Sequence, residues 1–235
     1  MNVSEQRLRG GKTSASSLID QTQQRIRRDI VRGVLPAGGR LKIEELARRY
    51  GVGLSPIREA LSLLCATRLV AKEDRRGFRV TPVSLANYMD VRAVMNRLWP
   101  MALHMALTNG DEAWEKRLVL ALYRTLKFDW AKAEQQPELY DEWDAAFRDF
   151  HREMVAGAGS PTLSDFIDGL VDQLERYRWL APEVRADTSF DDRNHKALVD
   201  ALHQRDPARL NEAMTTYASG GNAHREAVEA KLKAL

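Results

Sequence analysis

The chain has 235 residues, 44% of them hydrophobic and 29% charged, which is ordinary for a globular protein with room for one large domain or two small ones. Wholesale disorder is excluded, and no apolar run approaches the roughly 20 residues of a membrane-spanning helix. The net charge of +3 conceals an asymmetry: residues 1–82 carry 17 Lys and Arg against 8 Asp and Glu, a surplus of nine, while the remainder carries 19 against 25.

Residues 1–17 are basic and rich in Ser and Gly, and read as a flexible arm or a leader without a role. With no apolar signal segment, the expectation is a cytoplasmic protein with no membrane partner. Ile26, Ile30 and Val34 fall four apart and predict one apolar stripe on a helix from Leu18 to Arg32, ended by Gly33. Turn residues 33–39 lead to a short helix over 43–50, burying Leu46, Ala47 and Tyr50 and closed by Gly51. Ser55-Pro56 predicts an N-cap followed by a first-turn proline, and Ile57, Ala60, Leu61 and Leu64 mark the buried face of a third helix. Its outward face carries Ser55, Arg58, Glu59 and Ser62. The sole cysteine, Cys65, lies in the same apolar run, which excludes an internal disulfide and reads as core. Residues 69–72 and 77–80 predict two short strands around the basic tip 73–77.

Beyond Pro82 the pattern becomes helical throughout, with helices expected at 84–108, 111–134, 137–158, 161–180, 187–205 and 206–233. Pro100 is expected to kink the first, and Gly220-Gly221 to weaken the last. The fold class is therefore mainly α: a winged helix-turn-helix over 18–82, then an all-α bundle over 83–235.

Three helices and a wing, with a four-residue turn before the third helix, are built for the major groove of double-stranded DNA. Arg58, one turn into that helix, is the candidate to fork onto a guanine, and Ser55 is a cap that also reaches phosphate. Arg40, Lys42, Arg48 and Arg49 around the second helix, with Arg75 and Arg76 at the wing tip, are candidates for phosphate contacts. A DNA-binding role explains the basic surplus of 1–82; an enzyme, such as a histidine-dependent hydrolase, leaves it unexplained and lacks a nucleophile elbow or a phosphate loop.

The run 30–41, followed by Glu45-Leu46-Ala47-Arg48-Arg49-Tyr50-Gly51-Val52 and Ser55-Pro56-Ile57-Arg58-Glu59-Ala60-Leu61, resembles the GntR family of bacterial transcription regulators. The remainder is similar to the FadR-type effector domain (FCD), through Asp90-Val91-Arg92, Phe150-His151-Arg152, Ser160-Pro161-Thr162-Leu163, His195 and Arg205-Asp206. Where that family usually has Val-Ser-Arg before the third helix, this chain has Val52-Gly53-Leu54. The resemblance implies a ligand-responsive homodimer whose bundle binds a small carboxylate effector, and a non-enzyme.

It also implies where the effector sits. The family usually holds a metal with an Asp four residues before the His of the Phe-His pair, that His, and two later histidines. Here His151 and His195 are present, but Phe147 and Tyr217 stand at the other two positions. Two imidazoles rarely hold a divalent ion alone, so no cofactor is expected; a metal on His151 and His195 is the alternative. The effector-binding candidates are Arg92, Asn96, Phe147, His151, His195 and Tyr217, with Asn96 in place of a usual glutamate. Two other readings stay open: a filled core with two hydrogen-bonded histidines, and a bundle that only dimerises.

Overall fold

The computed structural model describes residues 18–73, 76–136, 139–180, 189–220 and 222–234. The expected arm 1–17, the wing-tip Arg75 and the Ala181-Pro182 break lie outside the described residues. The chain divides into two units, one of residues 1–84 with 172–179, the other of 85–171 with 180–235.

In the first unit, helix α1 runs through 18–31 and places Ile26 and Ile30 in the core. Gly33 takes a left-handed φ of 73°, which turns the chain as the sequence requires. Helix α2 (Ile43–Tyr50) buries Leu46, Ala47 and Tyr50 and ends at Gly51, whose left-handed backbone donates its N–H to the Ala47 carbonyl. Helix α3 (Leu54–Ala66) buries Ile57, Ala60, Leu61 and Leu64, and Cys65 packs at the edge of that core. Strands β2 (Val70–Glu73) and β3 (Gly77–Val80) form the wing, in register Val70 to Val80 and Lys72 to Phe78.

A strand that the sequence reading lacks, β1 (Arg40–Leu41), pairs antiparallel with β3, giving the order β1-β3-β2. Two residues are too few for a period-2 signal; β1 is defined by its backbone pairing with β3, Arg40 opposite Arg79 and Leu41 opposite Phe78. A second correction concerns Ser55. Gly53, in extended backbone, precedes the first turn, so α3 starts at Leu54 and Ser55 lies inside that turn. Its hydroxyl donates to the Glu59 carboxylate at 3.0 Å and caps nothing. Pro56 is still accommodated, because first-turn positions have no intrahelical use for an N–H.

The second unit contains α4 (Leu85–Asn109), α5 (Glu112–Leu126), α6 (Trp130–Gln135), α7 (Leu139–Ala156), the first part of α8 (Pro161–Arg178), α9 (Ser189–His203), α10 (Pro207–Gly220) and α11 (Asn222–Lys233). α5 packs on α7 and α9 on α10, while α4 meets α7, α9, α10 and α11. The core they share holds Trp99, Leu103, Trp114, Leu118, Phe150, Met154, Ile167, Leu198 and Leu202. α4 continues through Pro100. The expected helix 111–134 is in fact two, because Asp129 caps a new start by accepting from the Lys132 N–H at 3.0 Å. The expected helix 206–233 is likewise two, α10 ending at Gly220 and α11 starting at Asn222, while Gly221 lies outside the described residues.

Trp114 anchors the unit. Its indole N–H donates to the Glu153 carbonyl at 2.7 Å, and its ring leaves no space for a side chain at Gly110 or Gly157. Arg205, itself at a left-handed φ of 53°, lays its guanidinium over the same ring. It donates to the carbonyls of Ala106, Leu107 and Gly110 at 3.2, 2.7 and 2.6 Å, closing the C-terminal end of α4.

Candidate nucleic-acid interface and effector site

The basic surplus of the first unit divides into cations that hold the fold and cations that do not. Arg25 donates to the Tyr50 carbonyl at 2.9 Å, and Arg79 binds Glu73 at 2.8 Å and the Gly38 carbonyl. Arg27 is buried on α1: its Nε donates to Asp172 at 2.7 Å and a terminal nitrogen binds Glu175, both on the last turns of α8. Arg176, in the same stretch, donates to the Thr81 carbonyl, and Tyr177 to that of Ser84 at 3.4 Å. Arg27 was no sequence candidate, and no local pattern marks it, since its partners lie about 145 residues away.

Among the predicted DNA contacts, Lys42 pairs with Glu45 at 2.7 Å and Arg49 with Asp29 at 3.3 Å. The Lys42 hydrogen bond, with a weaker pull from Arg48, holds the Glu45 carboxyl below its usual range. The Asp29 carboxylate also accepts from the Tyr50 hydroxyl at 2.7 Å; burial, then that bond, push the phenol pKa up. Arg40, Arg48, Arg58 and Arg76 are exposed and make no ion pair within the described residues. Arg58 and Ser55 stand on the outward face of α3 with Glu59 and Ser62, and Leu54, at the first helical position, is 49% exposed beside them. A charged fork free of internal partners breaks no existing bond when it engages a base edge or phosphate.

In the second unit, four of the six effector candidates are brought together. Phe147, His151 and His195 are buried, and Tyr217 packs partly buried against the same core. The Phe147 ring lies 4.3 Å from that of His151 and 6.0 Å from that of His195; the two imidazoles are 5.7 Å apart and perpendicular. Trp99 reaches Tyr217 at 4.8 Å, Phe150 meets His195 edge-on at 4.9 Å, and Trp143 stacks on Phe147 at 4.8 Å. Trp143 was not singled out from the sequence, and Phe150 only as the first member of the Phe-His pair, although 143, 147, 150 and 151 share one face of α7.

Two candidates are not gathered there. Arg92 is half-buried on α4, its guanidinium 5.5 Å above the Tyr88 ring and donating to the Tyr88 hydroxyl at 3.2 Å. Asn96 is exposed, so the interior position expected for it is corrected: one turn beyond Arg92 the helix already faces outward. The donor set does not suit a divalent ion. Among the described residues no three His, Cys, Asp or Glu side chains gather, and the Phe147 ring occupies the face of α7 from which a carboxylate would reach His151. Beside the site, Arg148 and Arg152 both grip Asp168 of α8, at 3.1 and 2.6 Å. Arg148 is itself buried.

Residues 18–80 match the bacterial regulatory proteins, gntR family, and residues 90–219 match the FCD domain. The HTH-type transcriptional regulator BphR of Paraburkholderia xenovorans is 39% identical over 86% of this chain and 82% of its own length. The HTH-type transcriptional repressor GlaR of Escherichia coli is 32% identical over 82% of this chain and 88% of its own. Among solved structures, E. coli McbR/YncC superposes with a TM-score of 0.71 at 19% identity, covering 89% of this chain and 97% of that one. No helix among the described residues is long and apolar enough to cross a membrane. The chain belongs to the GntR family of bacterial transcription regulators, with an N-terminal DNA-binding winged helix and a C-terminal FCD domain.

Proposed function

We propose that this regulator acts as a homodimer whose affinity for operator DNA is set by a small carboxylate held in the bundle without a metal, and that it acts by binding rather than catalysis. The observation that carries the reading is the pair of buried imidazoles inside a wall of rings, Phe147, Phe150, Trp99 and Tyr217, where the family usually assembles metal ligands. Such a wall accepts an apolar body, while histidines and the Tyr217 hydroxyl supply a few oriented polar groups. That composition favours an aromatic or acyl acid over a short hydroxy acid. A coupling of about 1–3 kcal/mol between effector and DNA changes affinity 5- to 150-fold.

Two copies on one duplex place two α3 helices in successive major grooves, which is the reason to expect a dimer. Calorimetry of the full chain with benzoate, phenylacetate, octanoate and citrate tests the ligand class, with and without EDTA. Binding of the first three that EDTA leaves unchanged supports the reading. Affinity that EDTA removes and zinc restores overturns its metal-free part. No heat with any acid favours a bundle that only dimerises, and sedimentation at twice the chain mass tests that half separately.

A further inference from the structure

Among the exposed residues of the DNA-binding helix, the first is not charged but apolar. Leu54 occupies the first position of α3 and is 49% exposed, on a helix whose buried face is Ile57, Ala60, Leu61 and Leu64. Leu54 is neither in the buried core of this unit nor among the partly buried residues packed against it. Gly53, its N-terminal neighbour, has no side chain to shield it, and Ser55 is turned to Glu59. Four residues on, and so one turn above it on the same face, stands Arg58, which makes no ion pair among the described residues. The exposed cations Arg40, Arg48 and Arg76 belong to the same unit, so the partner of this face is a polyanion, and a duplex gives an apolar side chain one partner in its major groove: the C5-methyl group of thymine.

We propose that Leu54 is a specificity-determining residue that selects thymine by contact with its methyl group, beside the base read by Arg58. Side chains one turn apart have Cβ atoms about 5–6 Å from each other, and successive bases of a strand are about 3.4 Å apart along the axis, so the thymine lies one or two base pairs from the Arg58 contact. Burying one methyl group in this way is worth about fourfold in affinity.

Uracil differs from thymine only by that methyl group and pairs identically, so it removes the contact and nothing else. The test takes a duplex selected by the full-length protein from a random-sequence library and replaces its thymines by uracil one at a time. For the wild-type protein, one thymine per bound α3 is expected to show a loss of about fourfold on replacement, and the others none. Leu54→Ser, at an exposed position where folding is indifferent, is expected to bind the thymine and uracil duplexes equally; Leu54→Met, which keeps an apolar tip, retains discrimination. A wild-type protein indifferent to every replacement overturns the proposal, as does a fourfold loss that persists unchanged in Leu54→Ser. If uracil at the sensitive position weakens the Arg58→Ala variant as much as the wild type, the two residues read separate bases as proposed. Loss of that sensitivity in Arg58→Ala with Leu54 intact assigns the effect to Arg58 and overturns it.

Discussion

Replacing Arg205 by alanine removes the side chain that closes the end of α4, and the loss follows from its four contacts. The guanidinium donates to three carbonyls, of Ala106, Leu107 and Gly110, and pairs with Glu115 at 2.6 Å. Bonds from a charged donor are worth about 1.5–3 kcal/mol each when fully buried, but this side chain is 34% exposed, so about 1 kcal/mol for each of the two short carbonyl bonds is appropriate. The long bond to Ala106 and the partly exposed Glu115 pair together add about 1 kcal/mol. The total is about 3 kcal/mol. Arg205 also sits at φ 53°, a cost of about 1 kcal/mol that alanine keeps and glycine relieves. Arg205→Gly is therefore expected to lose about 2 kcal/mol, and Arg205→Lys, whose ammonium reaches one carbonyl and cannot fork, about the same.

Urea unfolding followed by tryptophan fluorescence measures this, since four of the five tryptophans, Trp99, Trp114, Trp130 and Trp143, belong to the second unit. With a slope of about 3 kcal/mol per molar, Arg205→Ala should lower the midpoint by about 1 M and leave the slope unchanged. A shift below about 0.3 M would refute the capping role. A glycine variant no more stable than the alanine variant would refute the backbone part of the reasoning.

Three further outcomes are expected. Gly157→Ala puts a Cβ within 2.4 Å of the Trp114 ring, so it should cost about 1–3 kcal/mol of overpacking, seen as a lower melting temperature in calorimetry; a neutral result would mean that the ring moves freely. Arg58→Ala should weaken specific binding by about 1–3 kcal/mol while scrambled duplex is bound almost as before, and equal losses on both would reduce Arg58 to a phosphate contact. Arg48→Ala should weaken both duplexes alike and flatten the log-affinity against log-salt slope by about 0.9; Lys42→Ala should flatten it less, because Glu45 already neutralises that lysine.

What could be read from the sequence and what could not divide along physical lines. α3 is legible because Ile57, Ala60, Leu61 and Leu64 repeat with the helical period, and α2 because Gly51 stands where only a left-handed residue ends it well. β1 is illegible because it is made by its partner β3, and the break between α5 and α6 because Asp129 caps a helix whose flanking pattern never loses its period. In the bundle, the positions of Phe147, His151, His195 and Tyr217 are anticipated by family spacing, and the structure gathers them. The exposure of Asn96 is not anticipated, since helical phase one turn from a half-buried residue depends on which neighbours pack there. Counting charge in residues 1–82 also overstates what faces DNA. Arg27 belongs to that surplus of nine, yet it is buried between two carboxylates supplied from α8, about 145 residues further on.

The return of residues 172–179 to the DNA-binding unit bears on how the protein is made. Ribosomes release the N-terminus first, and the segment that supplies Asp172 and Glu175 to Arg27 follows residue 84 by about 5–20 s at ordinary elongation rates. Until then the nascent winged helix has its strands and its recognition helix but holds a guanidinium on α1 with neither of these counter-charges. A growing chain that stalls or is cleaved before residue 172 thus leaves that buried arginine without either carboxylate.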